Sequence, residues 1–317
     1  MRALVTGGAG FIGSTLVDRL LAEGHAVDVI DDLSTGSLLN LSNARTGGQE
    51  FTFQKLDVRS PDLVELMGRR RPDVVYHLAG RPDVRASLAH PVLDAEVTIL
   101  GSIQVLEAAR RAGVSKVVYA SSGGAIYGNP PPGALPVKES HPQQPLSPAG
   151  VAKKAVGDYL FAYRELHNLE FTALALANVY GPRQDPGAGA GVVATFAARL
   201  LAGERCTIFG DGHQTRDFVF VDDVVDAFAR AAARGSGLLM NIGTGTETSV
   251  VELCRALEAT AGVEQPVAYG PPRDGEPARS SLDPARAAIH LGWKPWTSLP
   301  DGLLATLEWA RSRARPA

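Results

Sequence analysis

The stretch Ala3-Leu4-Val5-Thr6-Gly7-Gly8-Ala9-Gly10-Phe11-Ile12-Gly13 decides how the rest of the chain is read. A short apolar run leads into glycines at i, i+3 and i+6, and from Phe11 to Leu21 apolar residues recur at helical spacing. This pattern predicts strand, tight turn and helix. Gly7 can supply the turn, Gly10 lets backbone approach a pyrophosphate, and Gly13 permits close packing of helix on strand. The helix start, at Phe11, Ile12 and Gly13, then offers unpaired N–H groups to phosphate oxygens.

Glycine-rich turns close many βα units without binding anything, so the flanking sequence carries the argument. Ala26-Val27-Asp28-Val29-Ile30 reads as a second strand ending at Asp31-Asp32, about twenty residues beyond the turn. A carboxylate there accepts from a ribose 2′-OH and repels a 2′-phosphate, which favours NAD over NADP. Capping of a helix by the two aspartates is the competing explanation. Asp57, which ends the next apolar run beside Val58, can take an adenine amine or can simply hold a turn beside Ser60-Pro61.

Outward from this unit the alternation continues. Strands are expected over Phe51–Val58, Val74–Leu78 and Lys116–Ala120, with helices near 61–70 and over Ile99–Ala112. After a proline-rich loop, Asn129 to Pro148, a helix over about Gly150–His167 and a strand over Phe171–Ala177 follow. Short apolar strands separated by helices imply an α/β fold, a doubly wound parallel sheet of the Rossmann type. Past residue 178 the regularity weakens, which predicts a smaller mixed C-terminal substrate domain.

Composition limits the partners. The chain has 317 residues, 45% of them hydrophobic and 21% charged, as in soluble globular proteins. A formal net charge of -3 gives no basic excess for nucleic acid or an anionic membrane, so anionic ligands must be held locally. Cys206 and Cys254 are too few for a disulfide framework or a cysteine zinc site; a reducing cytoplasm and no metal are expected. The apolar run before the first glycines is too short for a signal peptide or anchor.

Further motifs narrow the reading: Val75-Tyr76-His77-Leu78-Ala79-Gly80, Ser121-Ser122-Gly123-Gly124-Ala125-Ile126-Tyr127-Gly128, Asn178-Val179-Tyr180-Gly181-Pro182-Arg183-Gln184 and Arg216-Asp217-Phe218-Val219-Phe220-Val221-Asp222-Asp223-Val224. With the glycine turn, they resemble the extended short-chain dehydrogenase/reductases, and among these the NAD-dependent nucleotide-sugar 4-epimerases of the UDP-glucose type. The resemblance runs from residue 2 to about 310. It implies NAD as cofactor, held also by Val58 and the Leu78-Ala79-Gly80 turn, and a UDP-sugar as substrate, epimerised at C4 through a 4-keto intermediate. It implies a dinucleotide-binding domain over 1–177, to which 217–243 returns, and a nucleotide-sugar domain made of 178–216 and 244–317. A homodimer formed through helices near 92–112 and 150–167 is implied too; packing on the sheet explains their apolar positions equally well.

The family moves the hydroxyl proton with a tyrosine four residues before a lysine, helped by a serine or threonine. In Ser147-Pro148-Ala149-Gly150-Val151-Ala152-Lys153 the lysine is present and Ala149 stands at the tyrosine position. None of the seven tyrosines has a lysine four residues on. An alanine in an otherwise intact segment reads as an engineered replacement that binds substrate and turns it over poorly; a natural loss would make a silent binding protein. The family's hydroxyl position falls on Gly123, so Ser122 is the chosen substitute, with Ser121 as the alternative and backbone bonding as a structural role for both. Thr98 stands where the family commonly has asparagine near the cofactor.

At the sugar end the resemblance places Arg216 and Arg273 on the diphosphate, Asn178 on phosphate or sugar, and Val192 in the uracil pocket with Thr207-Ile208-Phe209. Arginine's planar donor fork suits phosphate oxygens. A local ion pair with Asp217 is the alternative for Arg216. Arg81, near Asp83, Arg85 and Ser87, follows the fourth strand and can select the sugar, a 6-carboxylate such as glucuronate included, or can lie in a solvated loop. The substrate pair is therefore UDP-glucose/UDP-galactose or UDP-glucuronate/UDP-galacturonate. A UDP-glucuronate decarboxylase is the alternative within the enzyme class. A 4,6-dehydratase would carry an Asp-Glu pair where this chain has Gly123-Gly124.

Overall fold

The computed structural model describes every residue except 49, 82, 188–190, 274–276 and 315–317, and the side chain of residue 314. β1 (Arg2–Thr6) is buried from Ala3 onward, as a strand covered on both faces must be. It is joined by β2 (Ala26–Asp31), β3 (Phe51–Lys55), β4 (Val74–His77), β5 (Lys116–Ser122), β6 (Glu170–Leu176) and a seventh strand, Leu238–Ile242. The order across the sheet is β3-β2-β1-β4-β5-β6 and then Leu238–Ile242, with every pairing parallel. The chain therefore winds outward in both directions from β1 and β4. A crevice opens at their carboxyl ends, where doubly wound folds bind ligands.

One core packs Leu16, Val17 and Leu20 of α1 (Phe11–Ala22) and Phe228 against Val5 and Val118. The other packs Leu63, Met67, Leu106 and Val156 against Leu4, Val75 and Val117. Alternate residues of each strand supply the two faces. The first core runs on without a break into Val193, Phe196, Leu253, Leu257, Trp293 and Leu303, so the C-terminal region is packed onto the sheet unit. Its strands are short: Thr207–Phe209 pairs with Ala268–Gly270, Phe218–Phe220 with Asn178–Tyr180, and Thr215–Arg216 with Thr248–Ser249.

Element boundaries differ from the sequence reading where side chains interrupt the pattern. β3 stops at Lys55, because Asp57 turns the chain back by accepting from the Arg59 N–H at 2.8 Å. The helix expected from Ile99 begins as an α-helix at Gly101, after a π-helical turn over Glu96–Leu100. Such wide turns shift side chains on one helix face and recur at functional sites. β5 runs two residues past Ala120, so Ser121 and Ser122 belong to the strand.

Candidate active site

The glycine turn is a cradle defined by what a side chain would strike. Gly7 has φ +70°, and a Cβ there would lie 2.8 Å from the Ala79 nitrogen. At Gly13 a Cβ would lie 2.1 Å from the Gly7 carbonyl oxygen. Gly10 precedes α1 in an extended conformation and no side chain caps the helix. The first-turn donors of α1, at Phe11, Ile12 and Gly13, thus face the crevice without an intrahelical partner. Backbone donors, a helix N-terminus and absent side chains fit a pyrophosphate.

Asp31 and Asp32 stand at the end of β2 beside this turn. The Asp31 carboxylate is buried, accepting from the Ala9 N–H at 2.9 Å and the Leu33 N–H at 2.8 Å. Burial pushes its pKa up while those two donors pull it down. It therefore braces the glycine turn. Asp32 accepts from the Ser34 N–H and hydroxyl. Asp57 is held by the Arg59 guanidinium at 2.6 Å, which lowers its pKa. Val58 is buried where Gly101 leaves room: a Cβ on that glycine would lie 2.9 Å from Val58.

At the end of β4 the Leu78 N–H donates to the Thr6 carbonyl at 3.1 Å and the Ala79 N–H to the Thr6 hydroxyl at 3.3 Å. Behind them His77 is buried between the Thr6 hydroxyl, 2.7 Å from Nδ1, and the Ser102 hydroxyl, 2.8 Å from Nε2. Ser102 donates onward to the Thr98 carbonyl. Assigning Nε2 as the ring donor satisfies the whole chain, and burial with Lys153 nearby pushes the imidazole down to about 3, so it is neutral.

Lys153 and Ala149 lie on the first turns of the helix Pro148–His167, whose N-cap is Ser147. Lys153 Nζ donates to the Ala120 carbonyl at 2.7 Å and lies 4.8 Å from the centroid of the Tyr119 ring. A Cβ on Gly80 would be 3.4 Å from Nζ, so the fold brings the lysine to the β4 turn. Burial pushes its pKa down to about 8, against the attraction of Asp94. Ala149 is buried, and its N–H donates to the Ser87 hydroxyl at 3.3 Å. The pleat of β5 puts Ser121 on the face of Tyr119 and Ser122 on that of Ala120; Ser122 is the more exposed. Arg81 is half-buried after β4, and Asp83 caps the helix Val84–Ala89.

On the other side, Asn178 opens a strand and its N–H donates to the Asp217 carbonyl at 2.8 Å. Arg216 is nearly buried and donates to the Thr215 carbonyl at 2.8 Å. The Asp217 carboxylate is enclosed, accepting from the Thr244 N–H and hydroxyl and from the Gly245 and Leu282 N–H groups. The Arg273 guanidinium stacks 3.9 Å over the Phe209 ring. Val192 begins the helix Val192–Leu201. Asp94 and the Thr6-His77-Ser102 chain carry no local sequence signal, because an isolated aspartate or serine on a helix reads as solvated.

The NAD dependent epimerase/dehydratase family profile matches residues 3–243. The UDP-glucose 4-epimerase of Mycolicibacterium smegmatis is 49% identical over 316 residues, 99% of this chain and 100% of that protein. The crystal structure of the Thermotoga maritima UDP-glucose 4-epimerase with UDP-glucose superposes with a TM-score of 0.96 at 41% identity, covering 99% of this chain and 100% of that one. The Thermus thermophilus UDP-glucose 4-epimerase complex with NAD gives 0.92 at 40% identity over 98% and 99%.

Proposed function

The chain belongs to the NAD dependent epimerase/dehydratase family, and from that premise we propose that it is an NAD-dependent UDP-sugar 4-epimerase of the UDP-glucose type with an impaired proton-transfer step. The observation that carries this reading is the uncapped, glycine-lined crevice on a chain similar over 99% of its length to a UDP-glucose 4-epimerase. Bound NAD would supply reversible hydride transfer at C4 of the sugar. Gly7, Gly10 and the Phe11, Ile12 and Gly13 N–H groups would hold the pyrophosphate, with Asp31 and Asp32 on the ribose and Asp57 and Val58 at the adenine end. Leu78, Ala79 and Gly80 would line the nicotinamide side.

Lys153 would donate to the nicotinamide ribose and place positive charge beside the sugar oxygen. A serine of the Ser121-Ser122 pair would hydrogen-bond that oxygen. Arg216, Arg273, Asn178 and Val192 would hold UDP, and Arg81 would meet the sugar. Residues 1–177 with 217–243 would thus bind cofactor, and 178–216 with 244–317 the nucleotide sugar. Ala149 has no proton to exchange, so an acid–base worth about two to four orders of magnitude is missing. The surrounding segment, with Ser147 capping and Lys153 in place, supports replacement of a phenol within a working site.

Liquid chromatography of UDP-glucose and UDP-galactose after incubation with this chain and with its Ala149→Tyr variant tests the reading. Interconversion restored by the tyrosine supports it. Equal, measurable rates in both would remove the tyrosine argument, and binding without turnover in both would favour a silent NAD and nucleotide-sugar binding protein, the reading that Ala149 also supports. A homodimer is part of the proposal. Val92 and Phe161, 71% and 56% exposed, lie with Leu88, Leu100 and Val151 on packed neighbouring helices, an apolar surface suited to a second copy. Light scattering should give twice the 33.4 kDa chain mass, falling to one chain in a Val92→Glu, Phe161→Glu variant.

A further inference from the structure

Around Lys153 the structure collects buried polar atoms that have no hydrogen-bond partner: both carboxylate oxygens of Asp94, the Thr98 hydroxyl and the Tyr119 hydroxyl. Asp94 is 1% exposed, on the helix Pro91–Ala95, which packs against the helix that carries Lys153. The Tyr119 ring lies 4.8 Å from Nζ, and the Gly80 position touches both Nζ and the Thr98 hydroxyl. An ionised carboxylate with neither oxygen bonded is strongly disfavoured in such a place unless a cation compensates it.

We propose that Asp94 is a positioning residue for Lys153, the counter-charge that keeps the buried ammonium protonated and aimed at the crevice beside Gly80. The inference rests on the reading that Lys153 donates to the ribose of NAD. Three groups face the ammonium, Asp94 from the helix Pro91–Ala95, His77 from β4 and Tyr119 from β5, while Arg81 from the segment after β4 acts on the Asp94 carboxylate. His77 is neutral, and burial pushes the Tyr119 phenol up so that it is neutral too. Among the described residues, Asp94 is the carboxylate that acts on Lys153. Burial alone drives the lysine toward its neutral amine, which would offer a weaker donor. Asp94 opposes that drift; burial pushes its own carboxyl up, and the positive charges of Lys153 and Arg81 pull against that shift.

Calorimetric titration of NAD into the full chain and into Asp94→Asn, from pH 6 to pH 9, tests this. If removing the carboxylate lowers the lysine pKa by about one unit from about 8, affinity falls roughly fivefold at pH 8 and nearly tenfold at pH 9, and is unchanged at pH 6. UDP affinity, measured in parallel, stays within about twofold, and in a Lys153→Met background Asp94→Asn has no further effect. A loss that is the same at every pH, or no loss at any pH, overturns the inference. Should Asp94→Asn fail to fold, the unaltered chain still decides: NAD affinity that is flat from pH 6 to pH 9 overturns it, and affinity that falls as pH rises through about 8 supports it. A chain that binds no NAD even at pH 6 would overturn the cofactor reading itself.

Discussion

At the Gly7–Gly13 turn every feature that fits a dinucleotide is backbone or empty space, whereas at the Ser147–Lys153 segment the chemistry depends on individual side chains. The first region is complete as soon as the glycines are in place, because the donors belong to the peptide units and the helix start. The second keeps its cap, its helix and its lysine, and Ala149 stands where the proposed function calls for a proton-moving phenol. A binding surface made from main chain tolerates most side-chain change around it. A proton-transfer site can be emptied by one substitution that leaves the fold untouched.

The sharpest way to test this contrast is to restore the missing side chain. Ala149→Tyr should raise turnover by about two to four orders of magnitude while changing NAD and UDP affinity by less than about threefold, as initial rates and calorimetry would show. A gain in affinity as large as the gain in rate would mean that the second region was deficient in binding as well.

A buried chain runs from Thr6, next to Gly7, through His77 and Ser102 to Thr98, whose hydroxyl lies with Lys153 around Gly80. His77 is held down at about 3, below its ordinary value of 6.5. Below pH 6.5 the unfolded chain takes up a proton that the folded chain cannot, so the stability attached to this group is lost as pH falls from 6.5 toward 3. The loss is about 5 kcal/mol at most. Urea unfolding between pH 4 and pH 7 should show this acid limb, and a His77→Gln variant should have a shallower one.

Gly13→Ala attacks the main-chain region directly. A Cβ 2.1 Å from the Gly7 carbonyl forces α1 away from β1. Overpacking of this kind costs about 1–3 kcal/mol, and NAD affinity should fall with the thermal midpoint while UDP affinity is retained. Arg59→Ala should do least: the Asp57 pair it breaks is partly solvated, and stability should change by less than about 1 kcal/mol in thermal melts.

Much of this was legible beforehand. Glycine spacing, the acid after β2 and the alternation of apolar runs depend on local geometry, and the sheet follows from them: parallel strands need crossover helices, and the helices fix the winding. The end of β3 departs from the apolar pattern because Asp57 closes a turn through Arg59, and the π turn at Glu96–Leu100 leaves little trace because helical periodicity is almost blind to one extra residue. Asp94 looked like any solvated helical aspartate. Only the packing of the helix Pro91–Ala95 against Pro148–His167 makes it a buried counter-charge.

The sequence by itself determined the cofactor cradle, the parallel α/β sheet and the absence of a phenol before Lys153, since each is a matter of residue type at fixed spacing. The tertiary structure alone decided what surrounds Lys153. Its pKa and reach depend on Asp94, Gly80, Tyr119 and Ala120, which come from three separate segments. Burial and charge are properties of a neighbourhood, and a neighbourhood assembled across the chain leaves no local pattern to read.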